Sequence, residues 1–249
     1  MSLALEIRNL QKHFGGLHAT RNLSMEIPRG ELHAIIGPNG AGKTTLLTQL
    51  SGELRPSSGS VFVNGRDVTK APPHKRAALG VARSFQITTL VKDMTVGENV
   101  ILALIANSGH AYRFWNRYDR NAGLWRAASE AITRAGMAPN LLHRRVADLS
   151  HGEQRLLELA IALARDPAIL LLDEPMAGLG SEESRAMTRL LGSLRGRRTI
   201  LLVEHDMEAV FELADRITVL VRGEVVAVGT PGEIRRNEEV REAYLGEEA

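Results

Sequence analysis

Three short stretches of this chain are apolar at nearly every position, broken only by His33 and Thr199, and each runs straight into polar residues. They are Leu32–Ile36 before Gly37, Ile169–Leu172 before Asp173-Glu174, and the TILLV run at 199–203 before Glu204-His205. Strands apolar on both faces belong in the middle of a parallel sheet covered by helices on both sides. The first third reads differently. LEIRNL and LSMEI are short strand-like pieces, the second closed by Pro28-Arg29-Gly30, and SVFVNG ends in the turn pair Asn64-Gly65. A mixed sheet with an antiparallel N-terminal portion is therefore expected. Between residues 95 and 165 the pattern becomes helical. Thr95 with Glu98 and Ser150 with Glu153 both have capping-box spacing, and a helix is predicted from about Leu124 to Ala135. Further on, a helix is predicted over Ser181–Leu194, and ITVLVRGEVVAVG reads as a hairpin turning at Arg222-Gly223, followed by a polar helical tail from Gly232.

These patterns predict one α/β domain over residues 1–249. Its core is expected from 1–88 and 166–230, with a helical subdomain at 89–165 and a C-terminal tail at 231–249. The chain is long enough to bury a full core. Its net charge of +2 gives no argument for nucleic acid. It has no cysteine, so disulfides and thiolate metal sites are excluded. The longest apolar candidate, VILALIA at 100–106, is far short of the roughly 18 residues of a spanning helix, and the first residues lack a signal-peptide apolar region. The chain is expected to stay in the cytoplasm.

The segment after the first apolar strand, GPNGAGKTT, fits the phosphate-loop pattern at Gly37, Gly42, Lys43 and Thr44. Its glycines let backbone N–H groups point at phosphate oxygens, Lys43 can reach the β- and γ-phosphates, and the Thr44 hydroxyl can ligand Mg²⁺. Asp173, directly after a buried strand, is placed to hold the same ion. Glu174 beside it can orient or deprotonate a water attacking the γ-phosphate. His205 and Gln86 are weaker candidates, since a lone strand-end histidine or glutamine is often only a solvated group; each can also donate to phosphate or water, and Gln86 can ligand Mg²⁺. Ser150-His151-Gly152-Glu153 starts a helix, which is either a plain cap or a seat for an anion.

The ensemble resembles the nucleotide-binding subunits of ATP-binding-cassette (ABC) transporters along nearly the whole chain. GPNGAGKTT resembles Walker A, Gln86 the Q-loop, LSHGEQ at 149–154 the signature motif, ILLLDEP at 169–175 Walker B, and His205 the switch histidine. The resemblance implies a P-loop NTPase of ABC type with an inserted helical subdomain, using ATP and Mg²⁺. It implies ATP and phosphate contacts from Gly37, Pro38, Asn39, Gly40, Ala41, Gly42, Lys43, Thr44 and Thr45, and from Phe14 on the adenine. It implies Mg²⁺ at Thr44, Gln86 and Asp173, and catalytic roles for Glu174, His205 and Gln86. Ser150, Gly152 and Glu153 would close over the ATP of a second ATPase subunit in a head-to-tail dimer.

Within the family, FGGLHA at 14–19, DEPMAGLG and VREAYLGEE are similar to the LivG-type subunits of branched-chain amino-acid importers, with the ATPases of urea and short-amide importers as the alternative. That likeness implies two membrane permeases, a periplasmic or extracellular solute-binding protein, and a peripheral place on the cytoplasmic side of the inner membrane. A soluble non-transport ABC ATPase and a nonhydrolysing regulatory cassette are the readings from other classes. The chain departs from the family at Gly180, where the D-loop usually carries an aspartate; the departure implies that cross-dimer communication is either altered or carried by Ser181 and Glu182 instead, and it does not exclude hydrolysis. Residues 109–125 hold half of the chain's aromatic side chains, interleaved with arginines. They fit a permease or lipid contact as well as a cluster packing a long loop.

Overall fold

The structure is a computed structural model that describes residues 2–83, 90–106 and 121–240. It contains two compact units: Met1–Arg83 with Ala168–Glu174 and Leu191–Ala249, and Ser84–Pro167 with Pro175–Leu190.

The first unit begins with β1 (Leu3–Phe14), β2 (Leu17–Pro28), β3 (Leu32–Ile36), α1 (Lys43–Ser51), β4 (Ser58–Val63), β5 (Arg66–Asp67), α2 (Pro73–Ala78) and β6 (Val81–Arg83). In the second unit follow α3 (Val96–Ala106), α4 (Ala122–Arg134) and α5 (His151–Leu163). The chain continues through β7 (Ile169–Asp173), α6 (Ser181–Leu194), β8 (Thr199–Val203), α7 (Met207–Leu213), β9 (Arg216–Val221), β10 (Glu224–Gly229) and α8 (Pro231–Arg236).

Two sheets build the first unit. One is antiparallel, in the order β2-β1-β4-β5, and the other runs β10-β9-β3-β8-β7-β6. In the second sheet every neighbouring pair is parallel except β9 with β10. The three apolar runs are β3, β8 and β7, side by side and buried at every position, as their composition requires. The antiparallel sheet is longer and less regular than its sequence pattern. β1 and β2 extend to a tight turn at Gly15-Gly16, with register shifts along the pair and left-handed Asn9 and Asn22. The turns at Asn64-Gly65 and Arg222-Gly223 each place two successive residues at positive φ, the geometry of a two-residue hairpin.

Helix α1 ends at Gly52, at φ 87°, and there the molecule buries Arg76, only 1 % exposed. Its guanidinium donates to the carbonyls of Gln49 and Leu50, both at 2.8 Å, and to those of Ala71 and Thr69. The Gln49 carbonyl also accepts from the Gly52 amide at 3.3 Å, and Arg76 adds further donors at a helix end whose carbonyls would otherwise turn to water.

In the second unit α3, α4 and α5 surround an apolar cluster that includes Val96, Val100, Ile132, Leu157 and Ala160. Both expected capping boxes are present: Thr95 with Glu98 before α3, and Ser150 with Glu153 before α5. Helix α4 starts two residues earlier than its apolar periodicity predicts, because the Asn121 side chain accepts from the Gly123 and Leu124 amides. Trp125 packs on α3 where a Cβ at Gly97 would lie 2.4 Å from its ring, and stacks on His143 at 5.1 Å. It therefore serves as core; Tyr112, Phe114, Trp115 and Tyr118 lie outside the described residues.

Candidate active site

The P-loop joins the end of β3 to the first turn of α1 and leaves no room for side chains at two of its glycines. A Cβ at Gly37 would sit 2.0 Å from the Leu220 carbonyl oxygen, and one at Gly42 would sit 2.2 Å from that of Ala19. Gly42 also adopts φ 98°, which L-residues rarely take. Ala41 is buried within the loop, while Asn39 and Gly40 are exposed at its crest, Pro38 is half-buried, and Thr44 and Thr45 open the helix. Lys43 is buried, and its ammonium folds over the loop to the carbonyls of Gly37 at 2.6 Å and Pro38 at 3.0 Å. Burial pulls its pKa below the ordinary lysine value, while the nearby charges of Glu174 and Asp173 oppose that shift.

Asp173 closes β7 in a buried position, with Arg83 Nη2 3.1 Å from its Oδ2. Burial raises its pKa, and Arg83 counters the rise. The next residue, Glu174, is held at φ 49° while its amide donates to the Val203 carbonyl at 2.9 Å. A bulky side chain in the left-handed region is uncommon, and such strain is concentrated at functional sites. The turn re-aims the carboxylate: Glu174 Oε1 lies 2.7 Å from His205 Nε2. His205 follows β8, just before Asp206 caps α7. Lys43, Asp173, Glu174 and His205 thus converge at the C-terminal edge of β3, β7 and β8, the edge where open parallel sheets bind ligands.

A profile described as ABC transporter matches residues 20–177. The chain belongs to that family. A profile described as branched-chain amino acid ATP-binding cassette transporter matches residues 224–249. The high-affinity branched-chain amino acid transport ATP-binding protein LivG of Salmonella typhimurium is 39% identical over 252 residues, covering 98% of both chains. The corresponding protein BraF of Pseudomonas aeruginosa is 37% identical with the same coverage. Among solved structures, the ADP conformation of an ATP-binding cassette of an ABC transporter superposes with a TM-score of 0.87 at 28% identity, covering 99% of each chain. A dimeric cassette in a post-hydrolysis state, bound to ADP and phosphate, gives 0.79 at 25% identity over 91% of this chain and 98% of that one. The chain is an ATP-hydrolysing subunit of an ABC transporter. Among the described residues no helix is long and apolar enough to cross a membrane.

The remaining expected residues of this ABC subunit fall in different surroundings. Gln86 lies outside the described residues. Phe14, at the tip of the β1–β2 hairpin, is 51% exposed with the Lys12 ammonium 5.0 Å from its ring centre. In the second unit, Ser150 and Glu153 satisfy each other's backbone amides in a capping box at this helix start. Gly152 faces the carboxylate of Glu183, whose Oε1 would lie 2.2 Å from a Cβ there. Glu183 also accepts from the Gly180 amide at 3.1 Å. The carboxylate turned back onto the D-loop is therefore Glu183. One helical turn explains it, because residue i+3 of a new helix faces the amide that precedes it. The sequence also passed over Arg83; a single arginine at the end of a three-residue strand carries no periodic signal.

Proposed function

We propose that this subunit hydrolyses ATP with Mg²⁺ as one of two cassettes arranged head to tail, and that it powers import of branched-chain amino acids through two membrane permeases fed by a solute-binding protein. The observation that carries the hydrolytic part is the 2.7 Å contact between Glu174 and His205 beside Lys43 and Asp173. The P-loop amides and Lys43 bind the phosphates. His205 holds the rotamer of Glu174 until ATP arrives and then donates to the γ-phosphate, leaving Glu174 to take the proton of the attacking water. Ser150 and Gly152 present the start of α5 to nucleotide on the partner protomer.

The residues present suit a Mg²⁺ ion that arrives with nucleotide. The cradle admits backbone only at Gly37 and Gly42, and the described donors are one buried carboxylate, Asp173, and the Thr44 hydroxyl, to which the family resemblance would add Gln86, outside the described residues. Among the described residues no cluster of three His, Cys, Asp or Glu side chains forms a protein cage, and Mg²⁺ commonly takes its other ligands from phosphate and water. Bound there, the ion would neutralise charge on the β- and γ-phosphate oxygens.

The solute assignment is supported by the LivG and BraF relatives and by the profile matched at residues 224–249. Vesicles containing this subunit, its partner cassette and permeases, with the binding protein added, should take up leucine, isoleucine or valine; uptake of urea alone would replace the solute. In the same vesicles Glu174→Gln should keep ATP binding and lose about 10²- to 10⁴-fold in hydrolysis. A rate near wild type would remove Glu174 from its role.

A further inference from the structure

Arg83 ends β6, paired in parallel register with β7 so that it lies opposite Leu171. Its guanidinium is shared between two carboxylates. Nη2 approaches Asp173 Oδ2 at 3.1 Å, and Nη1 approaches Glu53 Oε2 at 2.9 Å with the Ser51 hydroxyl at 3.5 Å. Nε is buried and meets no acceptor among the described residues. The two acids differ in surroundings: the Asp173 side chain has no exposure, whereas that of Glu53 keeps 34%. A carboxylate without water needs a cation to stay ionised, while one at the surface does not.

Asp173 is also the acid assigned to Mg²⁺ in the proposed function, and the role of Arg83 rests on that assignment. Two cations therefore have a claim on one buried carboxylate: a monovalent guanidinium from the same chain and a divalent ion that comes with nucleotide. From this geometry we infer that Arg83 is a stand-in cation, which neutralises Asp173 while the metal is away and is left to Glu53 when the metal takes the carboxylate. Arg83 is a positioning residue: it acts on the metal site through Asp173. Its competition sets the Mg²⁺ concentration at which the subunit takes up nucleotide in the metal-bound form. The under-used Nε fits a group that exchanges partners, since a guanidinium with all five donors engaged would be held in place.

The test uses the full chain at about pH 8, well above the ordinary carboxylate range, and follows a fluorescent ATP analogue as free Mg²⁺ is raised. Arg83→Met should lower the Mg²⁺ midpoint roughly ten-fold, because the metal no longer displaces a cation. Glu53→Gln removes the surface acid that receives the guanidinium, and it should raise the midpoint. Arg83→Lys, which keeps the charge, should return it close to wild type. In thermal melts, Arg83→Met should lower the Tm of the nucleotide-free chain more than that of the chain saturated with Mg²⁺ and ATP. A pair that only holds the fold together would weaken binding in both variants and lower both melts equally, and either result overturns the inference. If Arg83→Met does not fold, Glu53→Gln alone decides, and an unchanged or lowered midpoint overturns it. Asp173→Asn should lose the Mg²⁺ dependence; a wild-type midpoint in that variant would show that the metal assignment has failed, separately from Arg83.

Discussion

In the first unit Lys43, Arg76, Asp173 and Glu204 are buried, whereas no described charged residue of the second unit is, and its Arg155–Glu158 ion pair keeps side-chain exposures of 14% and 10%. The polar side chains that the second unit does bury are Asn99 and Thr188. Asn99 is matched to the Val91 amide and to the carbonyls of Val91 and Thr95. The first unit accepts desolvated charge and forced glycine geometry at the edge where nucleotide binds. The second relies on apolar packing and helix caps. Stability and chemistry are thus drawn from different residues, and substitutions in the two units should fail in different ways.

The largest separation is expected from Gly42→Ala. Its new Cβ meets the Ala19 carbonyl and its φ is strained, so nucleotide binding should be lost together with about 3 kcal/mol or more of stability by denaturant unfolding. An unchanged ATP dissociation constant would show that the close approach does not shape the phosphate cradle. Next comes Leu157→Ala in the second unit, where a fully buried side chain leaves a cavity. It should cost about 2–5 kcal/mol with the ATP affinity of the folded protein unaltered. A large fall in that affinity would erase the distinction between the units.

The smallest effect, and the one with the least intuitive sign, is that of Lys43→Met. Burial holds the folded pKa of Lys43 below 10.5, so the stability linked to this group is present above that pH and lost as pH falls through the folded value. At neutral pH the ammonium is a cost. The nucleotide-free variant should melt slightly above wild type at neutral pH, with the gain shrinking toward pH 10.5, while stabilisation by added ATP disappears. A lower melting point would show that the bonds to Gly37 and Pro38 outweigh the burial.

The parts legible in the sequence were those governed by neighbours along the chain. Strands β3, β7 and β8 showed as nearly continuous apolar runs ending in polar groups, and the boxes at Thr95 and Ser150 showed through a three-residue spacing. Gly52, Asn64-Gly65 and Arg222-Gly223 stand at positive φ where turn chemistry put them. What stayed hidden depended on distant partners. Arg76 reads as one more basic residue in a polar stretch until the carbonyls that end α1 come round to it. The Arg83–Asp173 pair joins residues 90 positions apart, and β6 is too short to show a period. The Glu174–His205 contact needed the left-handed turn at Glu174, which no residue type announces.

Ala19 lies in β2, and the backbone continues the connection: the Gly223 amide donates to Ala41, and the Arg21 amide donates to Gly223. The N-terminal hairpin is thereby a gauge pressed against the phosphate cradle. A slip of one residue in its pairing, far from any catalytic group, would be read at the cradle as altered grip on ATP.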